Sequence, residues 1–203
     1  MSAVIPYVAA RTTDRGGFES DLAVTFDPFG RPRLSYRDER PSDRDEHGNL
    51  WVRVYQGPGK SRVLYDAMHP DRQRECMEQM RCQVCREPAD YDEQGWLFID
   101  WQREDSPATW PEGSRTSMPP LCIQCARISV KLCPFLRRAE YVVLRVREPN
   151  VYGVSGALYT LTVKGWRSTE LDQLSAHSKP PLPGMLASRI FRELRGVTVV
   201  ELP

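Results

Sequence analysis

Two Cys-x-x-Cys pairs are the residues of this sequence best suited to chemistry. The first pair is Cys82 and Cys85, the second pair is Cys122 and Cys125, and 36 residues separate the two. Each pair brings two thiolates onto one turn of backbone, and two such turns facing each other make the tetrahedral four-sulfur site that Zn²⁺ favours. Four cysteines also suit an iron–sulfur cluster, and paired thiols can act in redox chemistry, so both alternatives stay open. The spacing predicts a structural zinc ion bound by all four residues.

Three further residues could add metal ligands. Cys76 lies six residues before the first pair, Cys133 lies eight residues after the second pair, and His69 is close to Cys76 in sequence. They could form a second site or replace one of the four ligands. The simpler interpretation is that the two cysteines are small buried apolar residues. His69 is then a surface or helix-capping residue.

Local sequence patterns indicate which elements place the paired cysteines. A helix is predicted over about 71–80, a strand over 96–101, and a second helix over 125–132 that Pro134 ends. A helix N-terminus favours negative thiolates through its dipole. This order of a cysteine turn, a hairpin and a cysteine pair opening a helix resembles the treble clef over about residues 80–133. The resemblance implies a structural zinc ion on the four paired cysteines.

Two classes of zinc-dependent enzyme are disfavoured because their residues are missing. Treble clefs are also the scaffold of HNH-type nucleases, which need a catalytic histidine on the hairpin, and the chain has no histidine between Cys82 and Cys125. The His-x-Glu signature of the zinc deaminases is absent as well. Asp100, Glu104 and Asp105 form an acidic group that is more simply a solvated strand edge than an acid–base site. The sequence therefore leans away from an enzyme.

Four basic residues lie on or just after the second predicted helix. They are Arg127, Lys131, Arg137 and Arg138, and the first two share a helix face because they are four residues apart. A basic helix beside a zinc-binding turn could contact phosphate groups or a protein partner, and nearby tryptophans could stack on bases. The competing interpretation is a solvated helix face with tryptophans in the core.

The remaining sequence predicts two parts that flank a zinc-binding module at 67–139. Residues 1–66 are β-rich and predict an antiparallel meander, including a hairpin around 22–36 and a strand over 50–55 that pairs back over 62–65.

The C-terminal part, residues 140–203, predicts an α+β arrangement. It begins with a strand, and Gly153 and Gly156 read as a turn. Apolar residues from Met185 to Leu194 fall on one helical face, and Gly196 stands where a glycine would end that helix.

Charge and hydropathy limit the classes of partner and location. The net charge is +1, from 28 basic and 27 acidic residues, which argues against a surface generally coated by nucleic acid. No apolar run approaches the ~20 residues that cross a bilayer, and the N-terminus lacks the basic region of a signal peptide. We therefore expect a cytoplasmic protein without a membrane partner. In that compartment paired cysteines indicate metal binding rather than disulfides.

Several segments resemble a group of small uncharacterised proteins from actinomycetes. The resemblance rests on the cysteine-containing runs 81–89, 119–126 and 132–135, and on the later runs 151–159 and 194–200. It covers most of residues 76–203. It implies a metal site and a bacterial or phage origin, and it implies no activity.

These observations predict an α+β protein in which a β-meander leads into a treble-clef-like zinc centre followed by an α+β part. The predicted role is recognition of a nucleic acid or a protein partner, with zinc as a structural ion. Two alternatives are an enzyme whose site lies between the meander and the C-terminal part, and an assembly subunit of a larger complex. The oligomeric state is not predicted.

Overall fold

The computed structural model describes residues 4–16 and 21–202, and within them the chain is mixed α+β, with thirteen strands, two helices and mostly antiparallel pairing. The predicted α+β class is therefore confirmed. The helices are α1 (Pro70–Glu78) and α2 (Ile123–Leu132). The strands are β1 (Ala9–Arg11), β2 (Asp14–Gly16), β3 (Leu22–Phe26), β4 (Pro32–Tyr36), β5 (Leu50–Trp51), β6 (Val54–Gln56), β7 (Val63–Met68), β8 (Tyr91–Asp92), β9 (Gly95–Trp101), β10 (Arg115–Thr116), β11 (Tyr141–Thr162), β12 (Gly165–Ala176) and β13 (Met185–Val200).

The chain divides into two compact units, each assembled from separate segments. The first unit comprises Met1–Ala10, Val63–Tyr152 and Ile190–Pro203, and the second comprises Arg11–Arg62 and Gly153–Arg189. All six cysteines belong to the first unit. The division of the sequence into a β-rich part at 1–66, a zinc-binding module at 67–139 and a C-terminal part at 140–203 stays a prediction.

The first unit contains both helices and a sheet in the order β10-β13-β11-β9-β8. Strand β9 pairs antiparallel with the start of β11, so that Ile99 lies opposite Val143. These two side chains and Leu97 are buried in a core that also takes the inner face of α2. The predicted strand over 96–101 is confirmed, and its burial on both faces explains why its sequence is an almost continuous apolar run.

Helix α1 is fixed to β13 by the buried side chain of Gln73. Its Nε2 donates to the carbonyl oxygens of Ser117 and Ile190 at 2.8 and 2.9 Å, and its Oε1 accepts from the Ile190 N–H at 3.0 Å. The guanidinium of Arg192 donates to the Met77 carbonyl in the last turn of α1 at 2.6 Å, where a cation complements the helix dipole. The predicted helix over 71–80 is thus confirmed and anchored at both ends.

A glycine is required at the turn into β9. Gly95 has φ +112°, and a Cβ at this position would lie 2.2 Å from the Val146 carbonyl oxygen. Gly30, in the turn between β3 and β4, also has a positive φ (+76°), but a Cβ there would meet nothing within 4 Å. Both glycines have a positive φ, but only at Gly95 would a Cβ also collide with backbone atoms. A comparison of alanine substitutions at the two positions therefore isolates the cost of the collision.

The second unit is built on the β3–β4 hairpin, in which Leu22 lies opposite Tyr36. Strand β12 pairs antiparallel with the end of β11, and β5 pairs in parallel with β13. The core of this unit consists of Leu22, Leu34, Tyr36, Leu50 and Leu186. The predicted hairpin around 22–36 is confirmed.

A buried ion pair lies in the second unit. Arg53 donates from Nε and Nη2 to the two carboxylate oxygens of Asp43 at 2.9 and 2.6 Å, and from Nη1 to the exposed Asp38 at 2.7 Å. Its guanidinium lies 4.2 Å from the ring centroid of Tyr36. The hydrogen bonds from Arg53 hold the pKa of Asp43 below its usual range, while burial raises the pKa of Tyr36 to about 12.

Two histidines of the second unit stack on each other. The ring centroids of His47 and His177 are 3.7 Å apart, with an angle of 29° between the rings. Burial and the neighbouring His47 lower the pKa of His177, although Asp45 and Glu46 act in the opposite direction. Protonation of His177 is therefore disfavoured in its packed position.

The meander predicted for residues 1–66 is wrong. Strand β6 pairs with β2, β7 pairs with β1, and β5 pairs with β13. Among the described strands of this N-terminal segment, β3 and β4 are the one pair of sequence neighbours that pair with each other. The strand predicted over 50–55 is interrupted at Val52 and Arg53 because its two halves pair with different partners. Pairing with distant segments carries no local sequence signal.

The helix predicted from Met185 to Leu194 is also wrong, because this segment is part of β13. From Ile190 onward every second side chain is buried: Ile190, Arg192 and Leu194. The buried arginine breaks the apolar alternation that would have indicated a strand, and the remaining apolar residues imitate a helical period.

The turn predicted at Gly153 and Gly156 lies inside β11 instead. A Cβ at Gly153 would come within 2.0 Å of the Ser175 carbonyl oxygen, and a Cβ at Gly156 within 1.9 Å of the Leu186 carbonyl oxygen. The two glycines therefore allow neighbouring backbones to approach closely.

Candidate metal centre

The four paired cysteines meet in the first unit. The Sγ atoms of Cys82, Cys85, Cys122 and Cys125 all lie within 4.8 Å of one another, and those of Cys85 and Cys122 are 3.8 Å apart. Four sulfurs placed about 2.3 Å from a central ion at tetrahedral angles stand about 3.8 Å apart. The group therefore has the size of a tetrahedral four-sulfur site for one metal ion.

The first cysteine turn is closed by backbone hydrogen bonds. The Arg86 N–H donates to the Cys82 carbonyl at 2.9 Å, and the Cys82 N–H donates to the Glu87 carbonyl at 2.8 Å. Arg86 has φ +68°, the left-handed conformation that ends the turn. Backbone N–H groups of Cys122, Cys85 and Val84 act to lower the pKa of Cys82, although burial has the larger, opposite effect.

The second pair is carried by helix α2. Cys122 is the N-cap residue, and its carbonyl accepts from the Ala126 N–H at 2.9 Å, while Cys125 lies in the first turn. Both sulfurs are therefore close to the positive end of the helix dipole, which favours negative charge. The helix predicted over 125–132 is confirmed and begins two residues earlier.

Backbone contacts bring the two pairs together. The Leu121 N–H donates to the Leu97 carbonyl of β9 at 2.9 Å, and the Gln83 N–H donates to the Pro120 carbonyl at 3.1 Å. The segment that precedes Cys122 is therefore held between β9 and the first cysteine turn. The approach of the sulfurs is consequently set by the fold of the first unit.

The four thiols differ in exposure and acidity. Cys82 and Cys125 are buried, Cys122 is half-buried and Cys85 is exposed. Burial raises the pKa of Cys82 to about 11 and also raises that of Cys125. Burial acts in the same direction on Cys122, but hydrogen bonds from the Cys125 backbone and from neighbouring thiols outweigh it and lower its pKa. Because metal ligands must lose their protons, metal binding at this site would release protons.

The three other candidate ligands lie outside the four-sulfur group. Cys76 is buried in α1, where its thiol donates to the Cys82 carbonyl at 3.8 Å. Cys133 is the C-cap residue of α2, and His69 is the N-cap residue of α1 without a capping side-chain hydrogen bond. Among the residues that the structure describes, the four paired cysteines are the single group able to hold a metal ion.

The structure adds two residues beside the centre that sequence reasoning missed. The Tyr7 hydroxyl donates to the Glu75 carboxylate at 2.6 Å, and the same carboxylate accepts from Nε of Arg86 at 2.8 Å. The Tyr7 N–H also donates to the Val84 carbonyl inside the first cysteine turn at 3.0 Å. No sequence pattern links Tyr7 with a cysteine turn about eighty residues away, so these contacts follow only from the fold.

The four predicted basic contact residues, Arg127, Lys131, Arg137 and Arg138, are all exposed. The predicted acidic group is dispersed: Asp100 is buried and pairs with Arg103 at 2.8 Å, whereas Glu104 and Asp105 are exposed. The carboxylate of Asp100 also accepts from the Ser114 hydroxyl at 3.3 Å. Asp100 therefore has a structural role in the loop after β9.

The chain matches no protein-family model, no curated protein and no solved structure. Neither helix of the described chain is long and apolar enough to cross a membrane.

Proposed function

We propose that the four cysteines bind one structural zinc ion in a treble-clef-like module, and that the protein is a non-enzymatic recognition protein. The observation that carries the proposal is the approach of four sulfurs to within 4.8 Å of one another. A cysteine turn, the β8–β9 hairpin and a pair at the start of α2 supply the elements of a treble clef in order. The resemblance of the cysteine segments supports a bacterial or phage origin.

The size of the group favours one ion over an iron–sulfur cluster. A cluster places several irons and bridging sulfides between its cysteines, so its ligand sulfurs stand farther apart than those around one ion. Among single ions, zinc is the common partner of a tetrahedral four-sulfur site. Cysteines that serve as ligands of zinc also fit the predicted reducing cytoplasm.

A structural role follows from the ligand count. Catalytic zinc keeps one coordination position for water or substrate, whereas four cysteine ligands fill a tetrahedral shell. The ion would join the first cysteine turn to α2, and it would thereby fix the outer surface of that helix. Recognition by that surface is then the function, and the partner is a nucleic acid or a protein.

Elemental analysis of the purified full-length protein tests the zinc proposal. We expect one zinc ion per chain in the wild type and in Cys133→Ser, which changes a cysteine outside the group. The variant Cys85→Ser should lose most of its zinc. Iron in place of zinc, or equal zinc content in Cys85→Ser and the wild type, would overturn the proposal.

A further inference from the structure

Helix α2 has apolar side chains on more than the face that it buries. Ile123, Ala126 and Val130 pack on the core around the cysteines. Ile128 and Leu132, one helical turn apart, are 37% and 53% exposed. Large apolar side chains that stay partly in water stabilise the fold less than fully covered ones would. The outer residues therefore point to a contact outside this unit.

The apolar residues continue into the turn after the helix. Phe135 is 50% exposed, and its ring meets Trp101 edge to face with 4.6 Å between centroids. The Phe135 carbonyl accepts from the N–H groups of Arg138 and Ala139, both at 2.9 Å. A shallow hollow here is lined by Pro134, Phe135, Arg138 and Ala139. The turn is thus held in one conformation by hydrogen bonds and an aromatic contact.

Basic side chains surround these apolar residues in sequence. Between Cys122 and Glu140 the chain has four basic residues, Arg127, Lys131, Arg137 and Arg138, and Glu140 is the one acidic residue, so the segment carries +3 (4 − 1). The whole chain carries only +1. The segment is therefore more positive than the chain as a whole, and all four of its basic side chains are exposed.

We propose that the surface formed by Ile128, Leu132 and Phe135 with the four basic residues docks an acidic, amphipathic helical segment of a partner protein. The inference rests on the proposed function, because zinc ligands at the start of α2 fix this helix. An apolar stripe on the partner would cover the three apolar side chains, and its carboxylates would meet the basic ones.

The composition of the surface favours a protein over a nucleic acid. A phosphate backbone would meet the basic residues but would leave Ile128 and Leu132 in contact with water or charge. Stacking of a base on Trp101 is also hindered, because the Arg103 guanidinium already lies over this ring, 4.2 Å from its centroid. An acidic helix satisfies both the apolar and the charged parts of the surface.

The test is selection from a displayed library of random peptides of about 16 residues, roughly four helical turns, on the zinc-loaded full-length protein. Enriched peptides should carry aspartate and glutamate together with apolar residues spaced three and four apart. The variant Leu132→Glu should bind them at least about tenfold more weakly, as expected when a central apolar contact is lost. The matched control Val163→Glu, at a fully exposed apolar residue in the turn between β11 and β12, should bind like the wild type.

A charge-reversal experiment distinguishes docking from a structural effect. The double variant Lys131→Glu with Arg138→Glu should bind acidic peptides more weakly, and peptides with lysine in place of glutamate should regain affinity for it. No enrichment, enrichment of basic peptides, or unchanged binding by Leu132→Glu would overturn the docking proposal. Salt-sensitive binding of an oligonucleotide, or self-association lost in Leu132→Glu, would overturn it in favour of a nucleic acid or a second copy. The zinc content of the same samples separates this failure from failure of the zinc proposal.

Discussion

Replacement of Gln73 by leucine should destabilise the first unit by about 3 kcal/mol, since a buried backbone group left without a partner costs roughly 1–3 kcal/mol. The substitution removes three hydrogen bonds of 2.8 to 3.0 Å to Ser117 and Ile190. The Ile190 N–H loses its acceptor, and two carbonyl oxygens each lose a donor. Leucine can still fill the space of the glutamine side chain, but it can neither donate nor accept a hydrogen bond.

Urea unfolding of the zinc-loaded protein, followed by tryptophan fluorescence, measures this loss. The same substitution at Gln79 is the matched control, because that side chain is exposed at the end of α1 and surface changes usually stay within about 0.5 kcal/mol. For a chain of this size the Gln73→Leu loss corresponds to a melting temperature lower by about 6–12 °C. Equal stabilities of Gln73→Leu and Gln79→Leu would refute the claim that this amide anchors α1.

Three further substitutions test other parts of the fold. Asp43→Ala leaves the half-buried Arg53 with one exposed partner and should cost about 2 kcal/mol in urea unfolding, since a hydrogen bond to a charged group contributes roughly 1.5–3 kcal/mol. The exposed Asp38→Ala should cost far less, and equal losses would contradict the role of burial. Gly95→Ala should prevent folding or lower the melting temperature far more than Gly30→Ala, because only the Cβ at position 95 would collide with backbone atoms. Similar melting temperatures of the two variants would contradict the close approach of the Val146 backbone to Gly95. The folded state holds the pKa of His177 below its usual value, so the unfolded chain binds more protons and stability falls as pH drops below about 6.5. His177→Gln should flatten that dependence in melting curves recorded from neutral to mildly acidic pH, and an unchanged slope would contradict the assignment.

The features that could be predicted from sequence are those with a local physical cause. Helix α2 follows from an apolar face and a proline that stops it, and the β3–β4 hairpin follows from turn residues between two apolar runs. The approach of the two cysteine pairs was predicted because their spacing is typical of a shared metal ion. Each of these signals lies within a short stretch of chain.

The features that could not be predicted depend on distant partners. Strand β13 pairs with β5, β10 and β11, which come from separate parts of the chain, and its buried Arg192 conceals the alternation of its side chains. Strand β5 finds its partner more than 130 residues away, at Leu186. The contact of Tyr7 with Glu75 beside the cysteines has the same character. Such contacts depend on how distant segments pack together in the folded unit. A short stretch of sequence carries no signal for them.

X-ray absorption at the zinc edge of the purified protein would identify the ion and its ligands. We expect a single zinc ion with four sulfur neighbours at about 2.3 Å. A shell that mixes sulfur with nitrogen or oxygen would show that one of the four cysteines is not a ligand. Iron in the site, or no bound metal with the cysteines paired as disulfides, would contradict the structural zinc centre itself.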